Sequence, residues 1–178
     1  MSKLIILDRD GVINQDSSEY IKSPEEFIFL PGSVEAIVRF CKAGHAVAIA
    51  TNQSGIARGY YTEAVLHTIH DKLRTGVNAA GGKISCIQYC AHLPTDDCAC
   101  RKPRPGMLHA IAKQLKTTLD NAVMIGDRMT DILAAKAAHV APMVVMSAAT
   151  DKAKLAELPE IPVFMSLEAC ADAILSAA

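Results

Sequence analysis

No sign of charge dominates this sequence. Its 178 residues carry 18 Lys and Arg against 19 Asp and Glu, a formal net charge of −1, and the basic residues are dispersed. The broad positive field that draws polyanions is missing, so nucleic acid is not expected as a partner. Long apolar runs are missing as well. None approaches the roughly 18 residues needed to span a bilayer, and the start MSKLIILDRD turns charged too early for a secretory signal. Internal repeats, low-complexity segments and long linkers are also lacking. With 51% apolar and 21% charged residues, the expectation is a single globular domain over residues 1–178. It should be monomeric and cytoplasmic, without membrane contact.

Six cysteines in a chain without a secretory signal argue for reduced thiols or metal ligands rather than a disulfide framework. Cys41, Cys86 and Cys170 stand singly in apolar periodic stretches, as small buried hydrophobes do. Cys90, Cys98 and Cys100 cluster.

What is present is an alternation. Short apolar runs (LIIL, HAVAIAT, SCIQYC, NAVMIGD, APMVVM) take turns with helical patterns such as SVEAIVRFCKAG and GMLHAIAKQLK, and SLEACADAILSAA comes last. Runs that are apolar throughout suit parallel strands covered by helices on both faces, so the fold class is α/β. Gly32-Ser33, Gly44, Thr62 and Gly81-Gly82 fall where helices should start and stop.

In an open parallel sheet, ligands bind beyond the carboxyl ends of the strands. Asp8 and Asp10 follow the first run, Thr51 and Asn52 the second, Arg101 and Lys102 the third, and Asp127 ends the fourth. A carboxylate at such a place can attack phosphorus and form an aspartyl-phosphate, and Asp8 is the candidate nucleophile. An alkoxide leaves poorly, so a second carboxyl group that donates a proton contributes roughly 10²–10⁴ in rate, and Asp10 suits that role. Proximity to Asp8 should raise the pKa of Asp10. Asp127 would join Asp8 and a backbone carbonyl around Mg²⁺, giving a magnesium set of Asp8, Asp10 and Asp127 that Asp131 steadies from one helical turn further on. Thr51 can meet phosphoryl oxygens and Lys102 can neutralise charge. Each residue taken alone has a plainer reading, as a turn, a helix cap or a solvated charge. Their joint appearance at four successive strand exits does not.

DRDGVIN (8–14), TNQSG (51–55), RKPRPGM (101–107) and GDRMTD (126–131) together resemble, in type, order and strand position, the four motifs of the haloacid dehalogenase superfamily. The resemblance covers most of the chain. It implies a three-layer Rossmann-like parallel sheet and the phosphatase roles just given to Asp8, Asp10, Thr51, Lys102 and Asp127. No insertion is long enough for a large cap domain, since residues 11–31 amount only to a long loop.

The stretch CAHLPTDDCAC offers three thiols and an imidazole, Cys90, His92, Cys98 and Cys100, with five residues between the pairs. Such a set suits tetrahedral structural Zn²⁺ with no open position. Its expected task is to fix the loop that leads into Arg101 and Lys102. Zinc-loop members of the superfamily without a large cap include phosphatases of heptose bisphosphate and of histidinol phosphate. TNQSGIARGYYTE and CRKPRPGM resemble the heptose branch more, which implies a small phosphorylated sugar as substrate, on the route to nucleotide-activated heptose for lipopolysaccharide. The expected contacts to it are Arg9, the loop Asp16, Ser17, Ser18 and Glu19, then Asn52, Gln53 and Ser54. Arg101 and Arg128 would meet its distal part. The alternatives are the same chemistry on histidinol phosphate or another small ester, and a zinc-stabilised binding domain without catalysis.

Overall fold

A computed structural model of the chain describes residues 2–177. β1 (Leu4–Leu7), β2 (Ala46–Asn52), β3 (Cys86–Cys90), β4 (Ala122–Gly126) and β5 (Ala141–Val145) alternate with α1 (Ser33–Lys42), α2 (Glu63–Ala79), α3 (Gly106–Leu115) and α4 (Met129–Ala137). A short helix, α5 (Lys152–Ala156), a two-residue strand, β6 (Val163–Phe164), and α6 (Leu167–Ser176) complete the series. The helical and strand patterns read from the sequence fall on these elements, except that α5 and β6 were not anticipated. Five and two residues are too few to display a period.

All strand pairs are parallel, in the order β3-β2-β1-β4-β5-β6. β1 explains why its sequence is apolar without alternation. Ile5 and Leu7 enter one core with α1, α2 and α6, whereas Leu4 and Ile6 enter another with α3 on the opposite face. Both faces are covered, so every position needs an apolar side chain.

The chain leaves β1 toward β2 and β3 and later returns to β4 on the other side, which makes the β1–β4 boundary the point where strand order reverses. A crevice opens at the carboxyl ends of strands at such a point. Leu7 pairs with Ile125, and the Asp8 amide donates to the Ile125 carbonyl at 2.9 Å, so Asp8 and Asp127 emerge side by side. Further along the same rim, Asn52 at the end of β2 pairs with Cys90 at the end of β3. Residues 11–31 contain no named helix or strand and are tied down by the bridges Asp10–Asn14 and Asn14–Phe29. They form the long loop expected, with no cap domain.

Candidate active site

Asp8 is buried at the mouth of β1. Its Oδ1 lies 2.9 Å from Lys102 Nζ and accepts from the Arg9 amide at 2.8 Å. Lys102 reaches in from the loop after β3, and its ammonium also meets Asp131 Oδ1 at 2.6 Å and the Ala50 carbonyl at 2.7 Å. Three donors thus find three acceptors. Burial works against the charge on Lys102, yet Asp131 and Asp8 outweigh it and raise its pKa, so the residue stays a cation. Asp131 is pinned from its other oxygen, which accepts from the amides of Asp127 at 3.2 Å and Arg128 at 3.0 Å at the start of α4. An anion in the first turn of a helix is well placed for this. Gly126 has to be glycine, since a Cβ there would collide with the Asp131 carboxylate.

Asp127 is completely buried. Its Oδ2 accepts from Ser147 Oγ at 2.6 Å and its carbonyl from Thr150 Oγ1 at 2.7 Å, while its Oδ1 has no hydrogen-bond partner. Burial pushes its pKa up to about 6. Asp8 is raised well above the carboxylate range, first by burial, which with Asp131, Asp127 and Asp10 overcomes Lys102. Four carboxylates (Asp8, Asp10, Asp127, Asp131) face only two buried cations, Arg9 and Lys102, an excess of two negative charges. Oxygen ligands from Asp8, Asp127 and Asp131 lie within 4.8 Å of one another. A hard divalent cation such as Mg²⁺ fits that donor set and that charge deficit. Asp131 already spends both oxygens on Lys102 and the backbone, so Asp8 and the unpaired Oδ1 of Asp127 are the natural side-chain ligands.

Asp10 departs from the simple expectation. Its carboxylate turns to Arg9, which reaches it through Nη2 at 2.9 and 3.1 Å and Nε at 3.3 Å, and to the amides of Asn14 at 2.9 Å and Gln53 at 2.8 Å. Burial would raise its pKa, but Arg9 and those amide hydrogen bonds bring it below the ordinary carboxylate value. The expected rise through repulsion from Asp8 is therefore overturned. With the carboxylate so engaged, Asp10 could serve a metal only through its main-chain carbonyl.

Three residues expected to meet substrate or phosphate, Arg9, Thr51 and Glu19, do not line the cavity around Asp8. Arg9 is fully buried and clamps Asp10, so it does not face a ligand. Thr51 is fully buried, as Asp127 is, and its hydroxyl accepts from Gln53 at 2.9 Å. Glu19 faces a separate shallow groove with Lys22 and Glu26. Asp16, Ser17, Ser18, Asn52, Gln53, Ser54, Arg101 and Arg128 do line one cavity of about 480 Å³ together with Asp8, Asp10 and Lys102. Asn52 also anchors Lys102, exchanging two 3.1 Å hydrogen bonds with its backbone.

Beyond β3, the loop gathers Cys90, His92, Cys98 and Cys100 with ligand atoms within 4.8 Å of one another. The Sγ atoms of Cys90 and Cys98 are 3.7 Å apart, those of Cys90 and Cys100 3.1 Å, and His92 Nδ1 lies 3.3 Å from Cys100 Sγ. These separations are far longer than a disulfide and close to the edge of a tetrahedron with arms of about 2.3 Å, the Zn–S length. The cluster can hold zinc.

The HAD-hydrolase-like family model matches residues 99–172. A D-glycero-β-D-manno-heptose-1,7-bisphosphate 7-phosphatase of Pseudomonas putida is 49% identical over 158 residues, covering 89% of this chain and 90% of that protein. The Pseudomonas aeruginosa protein of that name is 47% identical over 173 residues, 97% of each chain. The crystal structure of a D,D-heptose 1,7-bisphosphate phosphatase from Bordetella bronchiseptica, complexed with magnesium and phosphate, superposes with a TM-score of 0.90 at 43% identity over 99% of both chains. The chain belongs to this phosphatase family.

Within that family fold, some residues that shape the site were not read from the sequence. Ser147 and Thr150 buttress Asp127 from the loop after β5. The signal was available, because APMVVMSAAT places both at a fifth strand exit. Arg58 and Lys154 line the cavity from surface positions, and a lone exposed cation carries no pattern that marks it. Tyr61, whose hydroxyl donates to Gln53 Oε1 at 2.6 Å, and His70, which touches Arg9, come from α2 and the turn before it. Only packing brings them in.

Proposed function

We propose that the protein is a Mg²⁺-dependent phosphatase that removes the 7-phosphate of D-glycero-β-D-manno-heptose 1,7-bisphosphate. Asp8 carries this reading, since it is a buried carboxylate held against Lys102 at the opening of a cavity that a phosphate ester could enter. Its oxygen attacks phosphorus, the bond from phosphorus to the sugar oxygen breaks, and Asp10 gives that oxygen a proton. Asp10 then takes a proton from the water that attacks the aspartyl-phosphate, which restores Asp8 and frees phosphate. Arg9 and Gln53, by favouring the Asp10 anion, prepare it better for this second transfer than for the first. Mg²⁺, when bound by Asp8, Asp127 and the main chain at Asp10, supplies the positive charge that lets a phosphate dianion approach a carboxylate. Lys102 holds the nucleophile in place throughout. Cys90, His92, Cys98 and Cys100 would hold Zn²⁺, which would cross-link the loop ahead of Arg101 and Lys102.

The rim favours a second anion on the substrate. Arg58, Arg101, Arg128 and Lys154 are four cations against the carboxylates of Asp16 and Asp151. A sugar bisphosphate presents a phosphate to that surplus, whereas histidinol phosphate presents an amine. The product, a heptose 1-phosphate, suits a following nucleotidyl transfer toward activated heptose for surface glycan.

The test compares kcat/KM, with Mg²⁺ present, on α- and β-heptose 1,7-bisphosphate, fructose 1,6-bisphosphate and histidinol phosphate. The β-heptose substrate should lead. Preference for histidinol phosphate overturns the substrate and leaves the chemistry; no turnover of any ester overturns both.

A further inference from the structure

The inward stripe of α2 consists of Leu66, Ile69, Leu73 and Val77, with one polar exception, His70. That imidazole is 5% exposed, and its Nε2 lies 3.2 Å from Nη1 of Arg9. A guanidinium can only donate, so Nε2 carries the lone pair and accepts. Burial, followed by the charge of Arg9, pushes His70 down to about 3, which keeps the ring neutral. The mechanism above makes no use of it.

Arg9 shows what the ring is for. Its guanidinium is completely buried, 5.9 Å above the Phe27 ring, with Nε and Nη2 on the Asp10 carboxylate. Nη1 is the arm that His70 receives. Without an acceptor there, a buried donor would be left unpaired, and the fork would relieve this by rotating away from the geometry that grips Asp10. His70 and Asp10 therefore hold the fork from opposite sides.

We infer that His70 is a positioning residue for the reaction, fixing the Arg9 fork and through it the place at which the Asp10 carboxyl meets the leaving oxygen. This rests on the phosphatase reading above. Proton delivery, rather than phosphate binding, is the step His70 serves.

The experiment compares wild type with His70→Leu and His70→Gln on two substrates. Heptose bisphosphate releases an alkoxide that needs a proton, and 2,4-dinitrophenyl phosphate releases a phenolate that does not. Because kcat/KM reports every step through phosphoryl transfer, the ratio of the two values isolates the proton. His70→Leu should lose about 10- to 100-fold on the bisphosphate, the scale of a small misplacement of a catalytic group, and under about threefold on the aryl ester. His70→Gln, whose amide oxygen can accept from Nη1, should regain most of the loss. His70→Asn, polar but too short to reach, replaces the Leu variant if that one does not fold. Equal losses on both substrates, no loss on either, or a Gln variant no better than Leu would each overturn the role of His70. A wild type inactive on both esters sinks the phosphatase reading instead.

Discussion

Two clusters of ligand-type side chains lie along one rim of the sheet, and they owe their order to different things. The carboxylate floor takes Asp8 and Asp127 from the ends of β1 and β4, strands whose residues are all buried, and Asp131 from the first turn of α4. Each fully buried Leu or Ile there contributes roughly 1.5–3 kcal/mol, so the floor rests on packed core. The thiol cluster follows β3, at the edge of the sheet, and only Cys90 of its four members is buried. Between Cys90 and Gly106 no strand or helix supports the loop. Scattered hydrogen bonds, such as Arg104 to Asp97 and Arg101 to the His92 carbonyl, hold it, and a metal on the four thiol and imidazole groups would add the cross-link that small zinc modules rely on. The fold thus sets the carboxylates on its core, while the cavity around them is lined by loops that follow β1 through β5.

The comparison breaks most readily at the floor. Asp8→Asn keeps the shape and removes the nucleophile, so kcat should fall by about four orders of magnitude or more, the scale on which loss of a covalent nucleophile acts. Turnover within tenfold of wild type would remove the aspartyl-phosphate mechanism. Lys102→Met adds a stability effect, because Asp8 and Asp131 then face each other without their shared cation. Breaking a buried pair in this way costs about 3–5 kcal/mol, or about 10 °C in Tm for a chain of this size. A calorimetric shift under 3 °C would mean that the floor is less interlocked than its distances indicate.

The edge should respond differently. Cys98→Ser, or removal of zinc with a chelator while Mg²⁺ is restored, should lower activity about 10- to 100-fold, the range seen when the support of a metal site is lost. Faster hydrogen exchange should be confined to residues 90–106, with the amides of β1 and β4 unchanged. A zinc-free protein with wild-type turnover and exchange would show that the loop holds itself.

The same contrast decides what can be read from the sequence. The parallel sheet was legible because burial on both faces leaves unbroken apolar runs such as LIIL, and the gathering of Asp8, Lys102 and Asp127 at one rim was legible because each follows a parallel strand. The clustering of Cys90, His92, Cys98 and Cys100 was legible because groups close in sequence leave a local pattern. Arg9 was not legible. Between two aspartates it looks like a ligand-facing cation, and only the convergence of the 9–14 turn, Gln53 and His70 from α2 turns it inward onto Asp10. That convergence also holds the pKa of Asp10 below the ordinary carboxylate value, where proximity to Asp8 was expected to raise it. β6 and α5 were hidden by brevity alone.

The smallest effect belongs to the rim, where Arg128 and Asp16 form a 2.6 Å pair with side chains 50% and 27% exposed. Such a pair adds at most about 1 kcal/mol to folding, so neither Arg128→Ala nor Asp16→Asn should move Tm by more than a few degrees. Their effects on substrate should have opposite signs. In the free protein, Asp16 occupies the guanidinium that a distal phosphate would take, so the ion pair competes with the ligand. Arg128→Ala should raise KM for the bisphosphate about three- to tenfold, equivalent to about 0.7–1.4 kcal/mol, with little change for a heptose carrying only the 7-phosphate. Asp16→Asn should lower KM for the bisphosphate, because a neutral amide no longer competes with the phosphate for the guanidinium. Both shifts should shrink as salt rises toward 0.5 M, since exposed charges are screened over a few ångströms at such ionic strength. A fall in kcat with KM unchanged in Arg128→Ala would instead tie this residue to the floor beside Asp127, from which its Nε is 3.9 Å away, and the division between core chemistry and rim recognition would have to be redrawn there.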